Sequence, residues 1–198
     1  MGRPRKENSL TPHDVIQAVL QCIDRDGEAA LGVNRVAREL GIKPPAIYKH
    51  LNGNSGLSRA VALEIWRDYL SDLKAQTAGI TEPKALLRVG AMTTRHFAKT
   101  YPARYVVMMQ YQMRPTDTEE AEIIQESFRL FQQSMQLYNL NEESLIDVMR
   151  MINSALFCFI SREERELMTL NRSSDKSFEV MLEALIVAID HIRALDST

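Results

Sequence analysis

Apolar residues in this chain recur three and four positions apart, which is the spacing of one face of an α-helix. The pattern starts after Thr11, where a hydroxyl N-cap, Pro12 at the first helical position and Asp14 as a capping carboxylate predict a helix. Gly27 is expected to end it. No segment shows the strict alternation expected of a half-buried strand. The pattern therefore predicts an all-α protein with about nine helices.

Glycine and proline divide residues 27–56 into short elements and become sparse further along the chain. A second helix, Val33–Leu40, is expected to stop at Gly41. A third begins at the pair Pro44–Pro45, which a helix tolerates in its first turn. The longer helices are predicted at 57–77, 83–99, 102–113, 117–138, 142–168 and 174–195.

The last two predicted helices are apolar on more than one side, so we expect more than one side of each to be buried. In a chain of this size, a second copy of the same helix pair is the expected partner, which predicts a homodimer. The predicted interface residues are Leu145, Met149, Ile152, Phe159, Phe178, Met181, Leu182, Leu185 and Ile189.

The segment Val33–Asn52 has the spacing of a helix-turn-helix. Ala37 is small enough to let two helices approach, Gly41 permits a left-handed turn, and Ile47 is expected to lock the second helix in place. A plain αα-hairpin within a helical bundle fits the same spacing. The outward side of the third helix carries basic and aromatic donors suited to phosphates and base edges, and this chemistry favours DNA binding.

The residues Gly32–Leu51, GVNRVARELGIKPPAIYKHL, resemble the N-terminal DNA-binding domain of TetR-type (TetR/AcrR) transcriptional regulators. The resemblance extends over roughly residues 11–61. It implies that Tyr48 and His50 contact operator phosphates, while the first turn and outer face of the third helix read bases.

Three residues depart from the family pattern. Lys43 stands where a Ser or Thr usually caps the third helix, so a cap is lost and a cation lies at the positive end of a helix dipole. Leu51 stands where an aromatic is usual, which changes packing only. Asn54 stands where a phosphate-contacting lysine is common, and we expect a weaker hydrogen bond from it.

The N-terminal run Gly2–Lys6 places arginines on an extended arm that contains proline. Such an arm suits the narrow minor groove of A·T-rich DNA, and this one resembles an AT-hook core. A solvated basic tail is the alternative, but the adjacent helix-turn-helix favours DNA. The predicted DNA-contacting residues are Arg3, Arg5, Lys6, Asn34, Lys43, Pro44, Ala46, Tyr48, Lys49, His50 and Asn54.

The formal net charge of −2 is the sum of two unlike regions. Residues 1–56 hold eight Lys or Arg against six Asp or Glu, whereas residues 57–198 hold sixteen against twenty. This balance excludes a uniformly basic nucleic-acid wrapper. Only the N-terminal region is equipped for phosphates.

Three later segments, Arg95–Tyr105, Leu156–Glu163 and Asp175–Glu179, are similar to the WHG-type C-terminal domain of some TetR regulators. Phe157 and Cys158 stand where that domain has its His-Gly pair. The resemblance implies a helical domain that dimerises through its last two helices and often holds a small-molecule pocket.

Nine of the ten methionines fall between Met92 and Met181, close to several aromatic residues. Methionine adapts to varied apolar shapes, so this cluster favours a pocket for a lipophilic ligand. Ordinary core filling is the alternative. The predicted ligand-binding residues are Trp66, Phe97, Tyr101, Tyr105, Met108, Met109, Phe128 and Phe131.

Enzyme motifs are missing from the sequence: there is no glycine-rich phosphate loop after a strand, no His-Glu-x-x-His pair and no Gly-x-Ser-x-Gly element. Cys22 and Cys158 are too far apart in sequence to indicate a zinc cluster or a disulfide framework. We predict no catalytic residue, no metal and no cofactor.

The lack of a signal peptide and of a long apolar run predicts a soluble, cytoplasmic, nucleoid-associated protein with no membrane partner.

The sequence thus predicts a basic arm at 1–10, a helix-turn-helix domain at 11–56 and a helical ligand-binding and dimerisation domain at 57–198. We expect a homodimeric repressor that binds double-stranded DNA at a pseudo-palindromic operator and is released by a small lipophilic effector. An activator or ligand-independent regulator of the same fold is the alternative. In a different class, the rival is a helical interaction or enzyme module with a vestigial helix-turn-helix.

Overall fold

A computed structural model describes residues 10–49 and 51–196 of the chain. The described residues form nine α-helices and two short 3₁₀ turns and contain no strand, which confirms the all-α prediction. The helices are α1 Pro12–Asp26, α2 Val33–Glu39, α3 Pro44–Tyr48, α4 Gly53–Thr77, α5 Pro83–Thr100, α6 Pro102–Gln110, α7 Thr118–Met135, α8 Glu142–Glu164 and α9 Ser174–Asp196. The 3₁₀ turns are Glu28–Ala30 and Gln136–Tyr138.

Helix α1 begins and ends as its sequence predicts. The backbone N–H of Asp14 donates to Thr11 Oγ1 at 3.1 Å, and the Thr11 N–H donates to Asp14 Oδ2 at 2.8 Å, which completes a capping box. The helix ends at Gly27, whose φ of 83° only glycine adopts readily. Both ends of α1 are therefore specified locally.

Several other helix ends differ from the approximate predicted limits by up to four residues. Helix α4 begins at Gly53 rather than at Leu57, because Gly53 takes a φ of +67° and turns the chain sharply into the helix. Helix α8 ends at Glu164 rather than at Met168, since Glu166 adopts a left-handed φ of 54°. Helices α6 and α7 likewise end earlier than the apolar pattern predicts.

The first of two compact units comprises the described residues up to Arg67 together with Tyr101–Met113. Its core is built from apolar side chains of α1 to α4, and helix α6 packs against α1 and the 3₁₀ turn that follows it. The Arg104 guanidinium stacks on the Tyr101 ring at 4.6 Å and its Nε donates to Asp24 Oδ1 at 2.8 Å, which ties α6 to α1.

The second compact unit comprises Asp68–Thr100 and the described residues from Arg114 onward. Arg95 of α5 is almost fully buried there and donates to Glu163 and Asp175, with a distance of 2.7 Å to one oxygen of each. Its guanidinium also lies 4.6 Å from the centre of the Phe178 ring. One buried arginine therefore holds α5 against the end of α8 and the start of α9. The predicted limit between a DNA-binding domain that ends at residue 56 and a ligand-binding and dimerisation domain that begins at residue 57 divides the chain by function. It stays a prediction.

Candidate nucleic-acid interface

Helices α2 and α3 meet in the turn that the sequence predicts. Gly41 has a φ of +65°, and the N–H of Ile42 donates to the Ala37 carbonyl at 2.9 Å, which closes the end of α2. Ala37 and Ile47 are both buried, so each has the packing role expected from its spacing. The turn and the buried contacts fix α3 against α2.

The outer side of α3 is exposed and carries cations and an aromatic hydroxyl. Lys43 and Lys49 are exposed, and Tyr48 has half of its side chain accessible, at 50%. Lys43 occupies the N-cap position of α3 and makes no side-chain capping bond, as its departure from the family pattern predicts. This side of α3 therefore offers donors to a phosphate backbone.

The remaining predicted DNA-contacting residues are placed less uniformly. Pro44 and Ala46 are half-buried in α3, and Asn34 is exposed on α2. Four of the predicted contacts lie outside the described residues: Arg3, Arg5, Lys6 and His50.

Asn54 makes an internal contact that sequence analysis missed. The backbone N–H of Val33, the first residue of α2, donates to Asn54 Oδ1 at 3.0 Å. The preceding Gly53 lies close to Tyr48, whose Cε1 is 3.6 Å from the place that a Cβ would occupy. The first turn of α4 therefore touches both helices of the helix-turn-helix.

An ion-pair network joins the end of α1 to α2 beside this surface. Arg25 donates to Glu39 Oε2 at 2.9 Å, while Arg35 bridges the same glutamate at 3.0 Å and Asp26 at 2.5 Å. Hydrogen bonds from the two arginines lower the pKa of Asp26 and of Glu39 to about 2. The sequence signal for this network is the Arg35 and Glu39 spacing of four residues, which suits a pair on one helix face.

The predicted ligand-binding residues divide between the two units. Tyr105 and Met108 are buried in the first unit, where Trp66 and Met109 are half-buried and Tyr101 is exposed. In the second unit Phe97 is buried and stacks edge-on against Tyr69 at 5.4 Å, and two half-buried aromatics complete the set, Phe128 and Phe131. Several of these side chains thus contribute to packing, and the ligand role stays a prediction.

The second unit also contains an open cleft of about 340 Å³. Its lining is rich in amides from the end of α7 and the following turn, and none of the predicted ligand-binding residues contributes to it. The lining residues are Arg129, Gln132, Gln133, Met135, Gln136, Asn139, Leu140 and Leu145.

The residues predicted to form a dimer interface point largely into their own chain. Five of them are buried within the second unit: Ile152, Phe178, Leu182, Leu185 and Ile189. Their role in a dimer interface stays a prediction. Four are half-buried: Leu145, Met149, Phe159 and Met181. The large apolar residues that these helices expose are different ones: Phe157, Val180, Val187 and Leu195.

Helix α8 is long and apolar enough to cross a membrane by length and composition alone. A single helix of this kind is weak support for a membrane protein, because helices of soluble proteins pass the same criterion. Only 22% of the 18-residue apolar stretch of this helix is buried. Its buried apolar residues are Val148, Ile152, Leu156 and Ile160, and Phe157 is exposed.

Residues 87–185, half of the chain, match the family model described as the tetracyclin repressor-like C-terminal domain. The chain belongs to the TetR family of transcriptional regulators. An uncharacterized HTH-type transcriptional regulator of Mycobacterium tuberculosis is 30% identical over 119 residues, which cover 60% of this chain and 53% of that protein. The chain thus spans about half the length of the curated relative that it matches.

Solved structures of TetR-type regulators share the fold of this family member. Apo ActR from Streptomyces coelicolor has a TM-score of 0.74 at 14% identity, over 95% of this chain and 98% of its own. A TetR variant from Acinetobacter baumannii in complex with minocycline has a TM-score of 0.70 at 17% identity, over 93% and 98%. BioQ of Mycobacterium smegmatis has a TM-score of 0.69 at 20% identity, over 92% and 99%. At these identities the likeness shows the fold alone.

Proposed function

We propose that this TetR-family protein is a homodimeric repressor that binds a pseudo-palindromic operator. The observation that carries the proposal is the exposure of Tyr48 on α3 and of Lys43 and Lys49, which cap the two ends of this helix of the helix-turn-helix. In that motif the second helix enters the major groove, and basic and hydroxyl donors contact phosphates and base edges.

The charge balance supports binding by two copies. The N-terminal region, residues 1–56, has only two more basic than acidic residues. One protomer therefore has few positive charges with which to neutralise DNA phosphates. A two-fold dimer presents two such surfaces to successive major grooves and requires approximate two-fold symmetry in the operator. The acidic remainder of the chain opposes indiscriminate coating of DNA.

DNA binding is tested by replacing Tyr48 and Lys49 together with alanine. We expect the double variant to bind the DNA upstream of the protein's own gene more weakly than the wild type does. The slope of log K against log salt should fall in magnitude by about one for each phosphate that the variant no longer neutralises. Fluorescence anisotropy between about 50 and 200 mM salt, a range over which such binding weakens by orders of magnitude, measures both quantities. Lys176→Ala is the matched control, because Lys176 is an exposed lysine at the start of α9. Wild-type protein that shows no salt-sensitive binding would exclude a DNA-binding role and leave the helical interaction module.

A small lipophilic ligand is proposed to release the protein from DNA. Support comes from relatives of the same fold, since ActR was crystallised with (S)-DNPA and a TetR variant with minocycline. Helix α4 belongs to both compact units, up to Arg67 in the first and from Asp68 in the second, and we propose that it transmits the change. Such a ligand must bind the released conformation more tightly than the DNA-competent one.

A thermal-shift screen with lipophilic compounds, followed by measurement of operator release, tests induction. We expect a compound that stabilises the protein to weaken operator binding, because both effects follow from preferential binding to the released state. A compound that stabilises the protein and leaves operator affinity unchanged contradicts the induction step without affecting the DNA-binding proposal.

A further inference from the structure

Helix α2 is short and lacks a cap of its own. It has seven residues, and its N-cap Gly32 has no side chain to accept a hydrogen bond. A helix start leaves several backbone N–H groups without intrahelical partners, and in a helix of two turns these groups are a large share of the backbone donors. The acceptor for the Val33 N–H comes instead from another helix, 21 residues along the chain, through Asn54 Oδ1 at 3.0 Å.

The residue that supplies this cap lies in the first turn of α4. Gly53, at φ +67°, brings the chain into the helix, and the place that a Cβ would take on it lies 3.6 Å from Tyr48 Cε1 of α3. The cap therefore connects the start of α2 to a turn that also contacts α3. A displacement of that turn stretches the hydrogen bond and leaves the start of α2 uncapped.

We propose that Asn54 is a positioning residue for DNA binding, because its Oδ1 ties α2 to α4 and so sets how the helix-turn-helix is presented to the operator. The inference rests on the proposed function. The DNA-competent state is the one in which the Val33 N–H is bonded to Asn54, and movement of the first turn of α4 breaks that bond. Asn54 thereby adds a polar link to the apolar packing that already joins α4 to the helix-turn-helix.

Removing the acceptor tests the link. Asn54→Ala is expected to speed hydrogen exchange at the Val33 amide by about fivefold and to weaken operator binding by a similar factor for each protomer. The salt slope should stay unchanged, since a neutral amide releases no counterions. Asn153→Ala is the matched control, because Asn153 is an exposed asparagine in α8, away from the helix-turn-helix in the sequence. It should change neither quantity.

A second-site variant separates positioning from simple stability. Gly32 has an extended backbone with φ −170° and ψ 141°, and nothing lies within 4 Å of the place that a Cβ would take, so a serine fits there as a local N-cap. Adding Gly32→Ser to Asn54→Ala should restore thermal stability and leave operator binding weak. Full recovery of operator binding would mean that Asn54 only stabilises α2, and the positioning role would be rejected.

An operator is first selected from random duplexes by binding to the wild-type protein. Replacing its phosphates one at a time with neutral methylphosphonates then distinguishes a positioning role of Asn54 from a direct contact between Asn54 and a phosphate. If Asn54 acts through α2, Asn54→Ala loses the same affinity on every substituted duplex. A deficit that disappears at one neutralised phosphate would show that Asn54 acts as a phosphate contact and would overturn the proposal. An unchanged Val33 exchange rate in Asn54→Ala would also overturn it. If wild-type protein binds no DNA, the proposed function fails, whereas the Val33 exchange rate still reports on the cap.

Discussion

At the scale of single residues, the turn between α2 and α3 depends on the backbone freedom of Gly41. Its φ of +65° lies in the left-handed region, where a side chain costs about 1 to 2 kcal/mol. Gly41→Ala should therefore lower the free energy of unfolding by about that amount, although nothing lies within 4 Å of the new Cβ. Urea denaturation measures the change.

Gly90→Ala is the matched control for that prediction. Gly90 lies in the interior of α5, and an added Cβ would make ordinary contact with Leu73 Cδ1 at 3.7 Å. Alanine in a helix interior is more stable than glycine by roughly 0.5 to 1 kcal/mol, so this variant should gain stability. Equal changes of the same sign at both positions would contradict the role given to the Gly41 conformation.

Residues whose roles are local could be predicted from the sequence, and residues whose roles depend on distant neighbours could not. Thr11 and Asp14 cap a helix through bonds within three residues of each other, and Gly41 acts through its own φ angle. The bond between Val33 and Asn54 joins two helices, and no periodicity in the sequence indicates it.

At the scale of helices, Arg95 holds α8 and α9 against α5. Its side chain is 6% exposed, and it pairs with Glu163, whose pKa is lowered to about 2 chiefly by its hydrogen bond with Arg95. Replacing Arg95 with methionine leaves Glu163 without its main partner in a mostly buried position. Removing one partner of a buried pair costs about 3 to 5 kcal/mol, so Arg95→Met should lower the free energy of unfolding by several kcal/mol.

Arg88→Met provides the comparison on the same helix. Arg88 is 34% exposed and pairs with Glu179 at 3.2 Å and with Glu183, and exposed pairs of this kind contribute about 0 to 1 kcal/mol. Chemical denaturation of both variants distinguishes the two cases. Similar destabilisation of both would mean that burial does not set the strength of the Arg95 interactions.

The sequence predicts helices α8 and α9 but not which face of each is buried within its own chain. The sequence marks Leu182 and Val187 as apolar, but it does not say which face is covered by the same chain. The structure buries Leu182 and exposes Val187, because α9 packs one side against α8 within the second unit. Helices could therefore be predicted, whereas the accessible face could not.

At the scale of the whole molecule, dimerisation requires an apolar surface that the single chain leaves exposed. On α9 the exposed positions Val180, Ala184, Val187, His191 and Leu195 are spaced three and four apart and form one stripe. On α8, Phe157 is exposed as well. Scattered apolar side chains on a surface are ordinary, but a contiguous stripe is typical of a protein interface.

A charge placed in this stripe should therefore abolish the dimer. Val187 is 66% exposed, so Val187→Glu should leave each chain folded while it places a carboxylate in an apolar interface, where an unpaired charge is strongly unfavourable. Leu137→Glu is the matched control, because Leu137 is 65% exposed and lies in the 3₁₀ turn after α7. Sedimentation velocity should show a monomer for Val187→Glu and a dimer for both wild type and Leu137→Glu.

Operator affinity should fall when the dimer is lost, since one protomer has few phosphate contacts to offer. A dimer that persists in Val187→Glu would place the interface on another surface, and a monomeric wild type that binds its operator tightly would contradict the two-fold arrangement.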